Sequence, residues 1–281
     1  MVARVRAETG QSTAVTEMSF AVPVLKWWKE AALTLIFYGV YTAIRNQFGS
    51  ALGGRVRRRS YENALDVINI EKAMGLYFEE WLQQLFVGWD WFIVFWNVFY
   101  GSFHFIVTIF VMVWLFWRFP SRYILMRSAL AVTTAVALVG FAFYPLMPPR
   151  LLPNCVSPYG ACAAGHNYVD TLVDPGGLWS FESGTMAAIS NQYAAMPSLH
   201  IAWALWCAIG LYPLLKHRAT RILAVMYPLF TLFSIVVTAN HYWIDAIGGI
   251  VIVAIGLRLA PKLTPFLPGG SRKFRPATQT G

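Results

Sequence analysis

Long stretches free of Asp, Glu, Lys and Arg divide this chain. They cover Trp91–Trp117, Ser128–Pro149, Ser183–Leu215 and Ile222–Ile244, and another apolar run follows Asp245 to near Leu259. A helix needs about 20 apolar residues to cross a bilayer core. The runs therefore predict spans over 91–117, 122–146, 197–215, 220–240 and 243–260. A shorter run, Ala31–Ile44, extended by Trp27 and Trp28, predicts a sixth over 29–46.

Residues 60–90 follow another pattern. Leu65, Ile68, Met74, Tyr77, Phe78, Trp81, Leu82, Leu85 and Phe86 recur at helical spacing, with Glu62, Asp66, Glu71, Glu79 and Glu80 between them. This predicts an amphipathic helix, lying at the membrane interface or packed on the bundle as a connector. The expected fold is thus all-α: a six-span bundle over 29–260, with an amphipathic segment at 60–90 and a long outer loop at 147–196. Residues 1–28 read as a polar tail without a cleavable leader, and 261–281 as a basic cytoplasmic tail.

Composition agrees. Of 281 residues, 57% are hydrophobic and 12% charged, too few charges to cover a water-soluble surface. The net charge of +9 is read as topology and lipid-surface charge rather than as a nucleic-acid surface. Arg118, Arg122 and Arg127, then Lys216, Arg218 and Arg221, then Arg258, Lys262, Arg272, Lys273 and Arg275 fall on one face of a six-span bundle. The positive-inside rule makes that face cytoplasmic. The 147–196 loop, with Arg150 against Asp170, Asp174 and Glu182, then lies outside. Arg55, Arg57, Arg58 and Arg59 disagree, because the same topology puts them outside too. Cys155 and Cys162 share the outer loop, where they are either a disulfide pair or two free thiols; Cys207 reads as a small packing residue.

Ionisable residues at membrane depth are costly and become functional candidates by default. Asp245 is the only acid after Glu182, and it stands four residues after His241 in Asn240-His241-Tyr242-Trp243-Ile244-Asp245. On a helix these two share a face, so the carboxylate can fix the imidazole tautomer and leave its other nitrogen as base or nucleophile. The plainer reading is a polar anchor at a helix start. A second cluster, Pro197-Ser198-Leu199-His200, opens a span. Ser198 there is either a simple cap or part of an anion site at the helix N-terminus. A third, Tyr144 to Arg150, ends a span with prolines and one guanidinium, suited to phosphate or to snorkelling at the interface. His104 lies inside the second span and is either a site residue or a helix–helix hydrogen bond. His166 reads as loop surface. By topology the three clusters reach one membrane face, assembling two histidines, a carboxylate and an arginine for phosphoryl transfer without metal.

Pro148-Pro149-Arg150, Pro197-Ser198-Leu199-His200 and His241 to Asp245 resemble the three-part signature of the type 2 phosphatidic acid phosphatase superfamily. The resemblance runs over about 63–257 and looks closest to the branch that includes fungal inositol phosphorylceramide synthase. Glu71 with Gly75, and Asn97, Tyr100 and His104, also look like that branch. The resemblance implies a six-span bundle in which His241 attacks phosphorus and Asp245 orients it. It implies that His200 protonates the leaving alkoxide and later activates the acceptor, while Arg150 and Ser198 hold the non-bridging oxygens. Tyr100, His104 and Asn240 are further candidate substrate-binding residues, and no metal or cofactor is implied. Two cations of the phosphatase pattern are replaced here, by Phe143 and by Ile235 after Ser234. Less positive charge favours a phosphodiester monoanion over a phosphomonoester dianion, and His104 is a candidate to supply the missing cation.

The expected function is therefore a membrane enzyme acting on a lipid phosphate ester, in the cell membrane with its site facing outward. Water as acceptor makes it a lipid phosphatase; an alcohol makes it a head-group phosphotransferase. Two alternatives remain at this stage: a lipid or solute transporter built on the same bundle, and a metal site made from His200, His241 and Asp245.

Overall fold

A computed structural model of the chain describes residues 25–48, 54–152, 166–176 and 192–267. Among these residues every extended regular element is a helix: α1 (Trp27–Phe48), α2 (Gly54–Met74), α3 (Glu79–Phe86), α4 (Asp90–Arg118), α5 (Pro120–Phe143), α6 (Leu199–Leu211), α7 (Arg218–Val237) and α8 (Trp243–Leu263). Four are long and apolar enough to cross a membrane, namely α4, α5, α7, and α8 with the turn that continues it to Phe266. The chain is an integral membrane protein on that ground. The remaining two expected spans are weaker. Glu30 sits inside the first turn of α1, and α6 with its terminal 3₁₀ turn reaches only from Leu199 to Leu214.

The bundle turns its apolar side chains outward as well as inward. Phe95, Ile106, Ile109, Phe110 and Val113 of α4, and Leu223 and Leu229 of α7, are exposed. Lipid is their expected solvent. With 29 residues, α4 is about 43 Å long, well beyond a core of about 30 Å. Exposed Trp89 and Trp91 at one end and Trp117 at the other mark the interfacial belts.

Small residues set the closest helix contacts. A Cβ on Gly249 of α8 would stand 2.6 Å from the carbonyl oxygen of Ser198, so only glycine lets α8 approach the start of α6 this closely. Indole hydrogen bonds join α6 to α5: Trp206 donates to the Met126 carbonyl at 2.7 Å, and Trp203 to Thr134 Oγ1 at 3.1 Å. Arg122 donates to the carbonyls of Ile209 and Gly210, closing the C-terminal end of α6. Arg127 pairs with Glu30, which also accepts from the Tyr123 hydroxyl, and this buried cluster ties α1 to α5. Arg122 and Arg127, two of the three basic residues in the first cytoplasmic segment, thus also hold the bundle together at that end.

The segment 60–90 is not one helix. It breaks after Met74 at Gly75, whose φ of +70° ends α2 with the Leu76 N–H on the Glu71 carbonyl at 2.8 Å. The apolar face of α2, with Tyr61, Ala64, Val67 and Ile68, is buried against Leu146, Met147 and Tyr242. Arg59 donates to the Phe143 carbonyl and Asn63 to the Pro145 carbonyl. Of the first-loop arginines, Arg59 therefore stands at the C-terminal end of α5, and Arg58 is paired to Glu62 on the surface.

Candidate active site

The site is assembled where α7 reverses into α8. Ala239 adopts φ +52°, a left-handed conformation that costs a residue with a Cβ about 1–2 kcal/mol. The reversal sends the N–H groups of Asn240 and His241 to the Ile235 carbonyl, at 2.9 and 3.1 Å, and presents the Ala239 carbonyl to the Arg150 N–H at 2.8 Å. His241 and Arg150 are thereby fixed to one turn of backbone.

Asp245 has two jobs at the head of α8. Its Oδ2 accepts the Tyr242 N–H at 3.0 Å, as a capping carboxylate, and lies 3.1 Å from His241 Nδ1. With the Nδ1 proton donated to Asp245, Nε2 carries the lone pair. Nε2 is 3.2 Å from His200 Nδ1 and 3.5 Å from Ser198 Oγ. His200 and Asp245 stand on opposite edges of the His241 ring, forming a line rather than a three-point cage. Among the described residues no three His, Cys, Asp or Glu side chains gather as metal ligands.

His200 is stacked on Tyr100, ring centroids 4.5 Å apart, and meets His104 edge-on at 4.4 Å. Among the described residues His104 makes no hydrogen bond to another helix; its Nδ1 lies 3.0 Å from the Tyr100 carbonyl one turn earlier on α4. Tyr100, His104, Arg150, His200, Asn240 and His241 line one end of a cavity of about 1020 Å³. Ser198 is fully buried, and its hydroxyl faces His241 rather than that cavity.

Arg150 differs most from its expected setting. Its Nη1 donates to Asp170 Oδ2 at 2.7 Å, and its Nε to Asn240 Oδ1 at 3.0 Å. Residues 166–176 are stitched down to deliver Asp170. Gln83 exchanges two hydrogen bonds with Val169, each 2.9 Å. Asn97 donates to the carbonyls of Thr171 and Gly176, and the Thr171 hydroxyl donates to the Thr238 carbonyl. His166 is correspondingly not loop surface: its ring is buried 2.6 Å from the Tyr77 hydroxyl and 3.3 Å from Glu80. Cys155 and Cys162 lie outside the described residues. The two replaced cation positions lead elsewhere. Phe143 is 74% exposed on the outside of the bundle, and Ile235 is fully buried beneath the His241 turn.

Two acids join the site at the head of α8: Glu71, which the resemblance singles out without a role, and Glu79, which no motif marks. Glu71 Oε1 accepts the Ile244 N–H at 2.8 Å and Glu79 Oε1 the Trp243 N–H at 3.2 Å. Together with Asp245 they satisfy the exposed donors of the first turn of α8. Both glutamates are fully buried. Burial and the adjoining Glu79 push the Glu71 carboxyl up to about 10, so it holds its proton at neutral pH. The signal was in the register: Tyr61, Ala64, Val67, Ile68 and Glu71 form one buried stripe, and Glu79 and Gln83 the buried face of α3.

No curated protein and no solved structure matches the chain. A family model described as the PAP2 superfamily matches residues 65–259, from within α2 to near the end of α8. On that match the chain belongs to the type 2 phosphatidic acid phosphatase (PAP2) superfamily.

Proposed function

We propose that this protein is a six-span membrane enzyme that transfers the phosphoryl group of a lipid phosphate ester through His241. The observation that carries the reading is the line Asp245–His241–His200 opening into an apolar cavity beside Arg150. His241 Nε2 would attack phosphorus as the bond to the lipid oxygen breaks. His200 would donate its proton to that leaving oxygen, then take a proton from the acceptor as the acceptor oxygen attacks the phosphohistidine and His241 leaves. In this reading the phosphoryl group displaces the direct contact between the two imidazoles. Arg150 and the N-terminus of α6 would hold the non-bridging oxygens, and Ser198 would steady His241. The active face would be the non-cytoplasmic one, with α1 and α6 as the remaining spans.

A second reading, head-group transfer from a phosphodiester to an alcohol, is favoured by one observation. Among the described residues, the one guanidinium lining the phosphate end is already paired with Asp170, so the positive charge on offer suits a monoanion better than a dianion. Purified protein should be given lipid phosphomonoesters and phosphodiesters, with and without alcohol acceptors, in the presence of chelator. An acid-labile phosphoprotein is expected, absent in His241→Ala. Normal turnover by both His241→Ala and His200→Ala would sink the mechanism. Loss of activity in chelator would point to metal chemistry instead.

A further inference from the structure

The cavity does not stop at the histidines. It continues between α1, α4 and α5 to the Glu30–Tyr123–Arg127 cluster near the opposite end of the bundle. Lining residues run from Tyr100 to Trp117 on α4 and, above the cluster, from Arg127 to Phe141 on α5, with Trp27 and Tyr123 lining it about one turn below Glu30 and Arg127. At 1.5 Å per residue those stretches measure about 25 and 21 Å. One leaflet of a bilayer core is only about 15 Å deep. Between its polar ends the trough is walled by side chains such as Leu33, Phe37, Phe105, Met112 and Leu130.

We propose that this trough takes one hydrocarbon chain of the substrate, extended past the bilayer midplane, and that the Glu30–Tyr123–Arg127 cluster is its floor and sets an upper chain length. The proposal rests on the phosphoryl-transfer reading and adds to it the shape of the lipid. The occupant follows from continuity: a phosphate held at Arg150 and His241 has its ester oxygen at the mouth of the trough. The floor follows from chemistry, since a buried ion pair cannot be pushed into hydrocarbon cheaply. Moving a chain from lipid into an apolar trough changes its surroundings little, because lipid tails are as apolar as Leu. Selectivity therefore comes from where the trough ends, and not from a gain with each methylene.

The test uses the full chain in detergent and single-chain alkyl phosphates of increasing length. Turnover should be nearly flat until the chain exceeds about 21–25 Å, then fall by about tenfold or more. Ala131 on α5 and Thr34 on α1 both line the trough, each one turn above the floor. Ala131→Trp, and separately Thr34→Trp, should lower the limit by about 5 Å while short chains react as before. If both variants fold and keep the wild-type length profile, the floor is refuted although the phosphoryl-transfer reading stands. If no ester of any length is turned over, that reading fails, and a binding readout decides the trough. Long alkylphosphonates should then protect Ala131→Cys from alkylation where short ones do not; equal or no protection overturns the proposal.

Discussion

Replacing Glu71 separates a structural acid from an ordinary surface one. Its carboxyl is fully buried and accepts the Ile244 N–H at 2.8 Å. In Glu71→Ala that donor loses its partner, which costs about 1–3 kcal/mol for a buried group. The vacated space adds a cavity term, giving about 2–4 kcal/mol in all. Compared below pH 4.5, where the acid is protonated in both folded and unfolded states, Glu71→Gln keeps an acceptor for Ile244 and presents an amide donor where the protonated acid stood, so it should cost less than about 1 kcal/mol. The pH dependence sharpens the contrast. The folded-state value is raised from 4.5 to about 10, so between these limits the folded protein binds more protons than the unfolded one. Stability from this group is fully present below pH 4.5 and declines as pH rises toward about 10. Glu71→Gln and Glu71→Ala both remove that slope, so each gains on the wild type as pH rises while their difference from one another stays. Denaturant titration of the purified protein in detergent, repeated across pH, reads both effects. If Glu71→Gln destabilises as much as Glu71→Ala, or leaves the slope intact, the protonated-acid account of the α8 cap is wrong.

Other substitutions address the rest of the site. Gly249→Ala should destabilise by about 1–3 kcal/mol and cut activity, because its Cβ would press on the Ser198 carbonyl and move the start of α6; unfolding and turnover read it together. Asp170→Asn should leave the Arg150 guanidinium less neutralised, and so raise kcat/KM for phosphomonoesters relative to phosphodiesters several-fold. An unchanged ratio would show that the pair does not set donor charge.

Much of this architecture could be read from residue patterns because membrane helices advertise themselves. Charge-free runs located α4, α5, α7 and α8, since the bilayer imposes length and apolarity on each span separately. The meeting of His200, His241 and Asp245 followed from spacing and alternation of faces. What pattern could not supply was partnership. Glu71 and Glu79 read as the polar side of one amphipathic helix, yet Gly75 breaks that helix and turns both carboxyls onto the head of α8. Asp170 counted as one of several loop charges, because nothing local shows that Gln83 and Asn97 pin its segment beside Arg150. Register along a single helix is a local property; which helix end a buried acid caps is a tertiary one.

The paired arginine also bears on how a phosphate can enter at all. Arg150 arrives already bonded to Asp170, and the His241–Asp245 unit brings no positive charge of its own while the imidazole is neutral. Among the described residues that line the site, an anion moving to His241 in this apolar surrounding therefore meets hydrogen-bond donors and Arg150 already paired with Asp170. A proton on the His200–His241 pair would correct the balance. The two ring nitrogens that would share it, His200 Nδ1 and His241 Nε2, are 3.2 Å apart, and in the proposed mechanism the phosphoryl oxygens come to lie beside them. The proposed chemistry would use the same proton again, because a lipid alkoxide is a poor leaving group without one. Binding and leaving-group protonation would then be two uses of one proton, brought in with the phosphate and carried off on the alcohol.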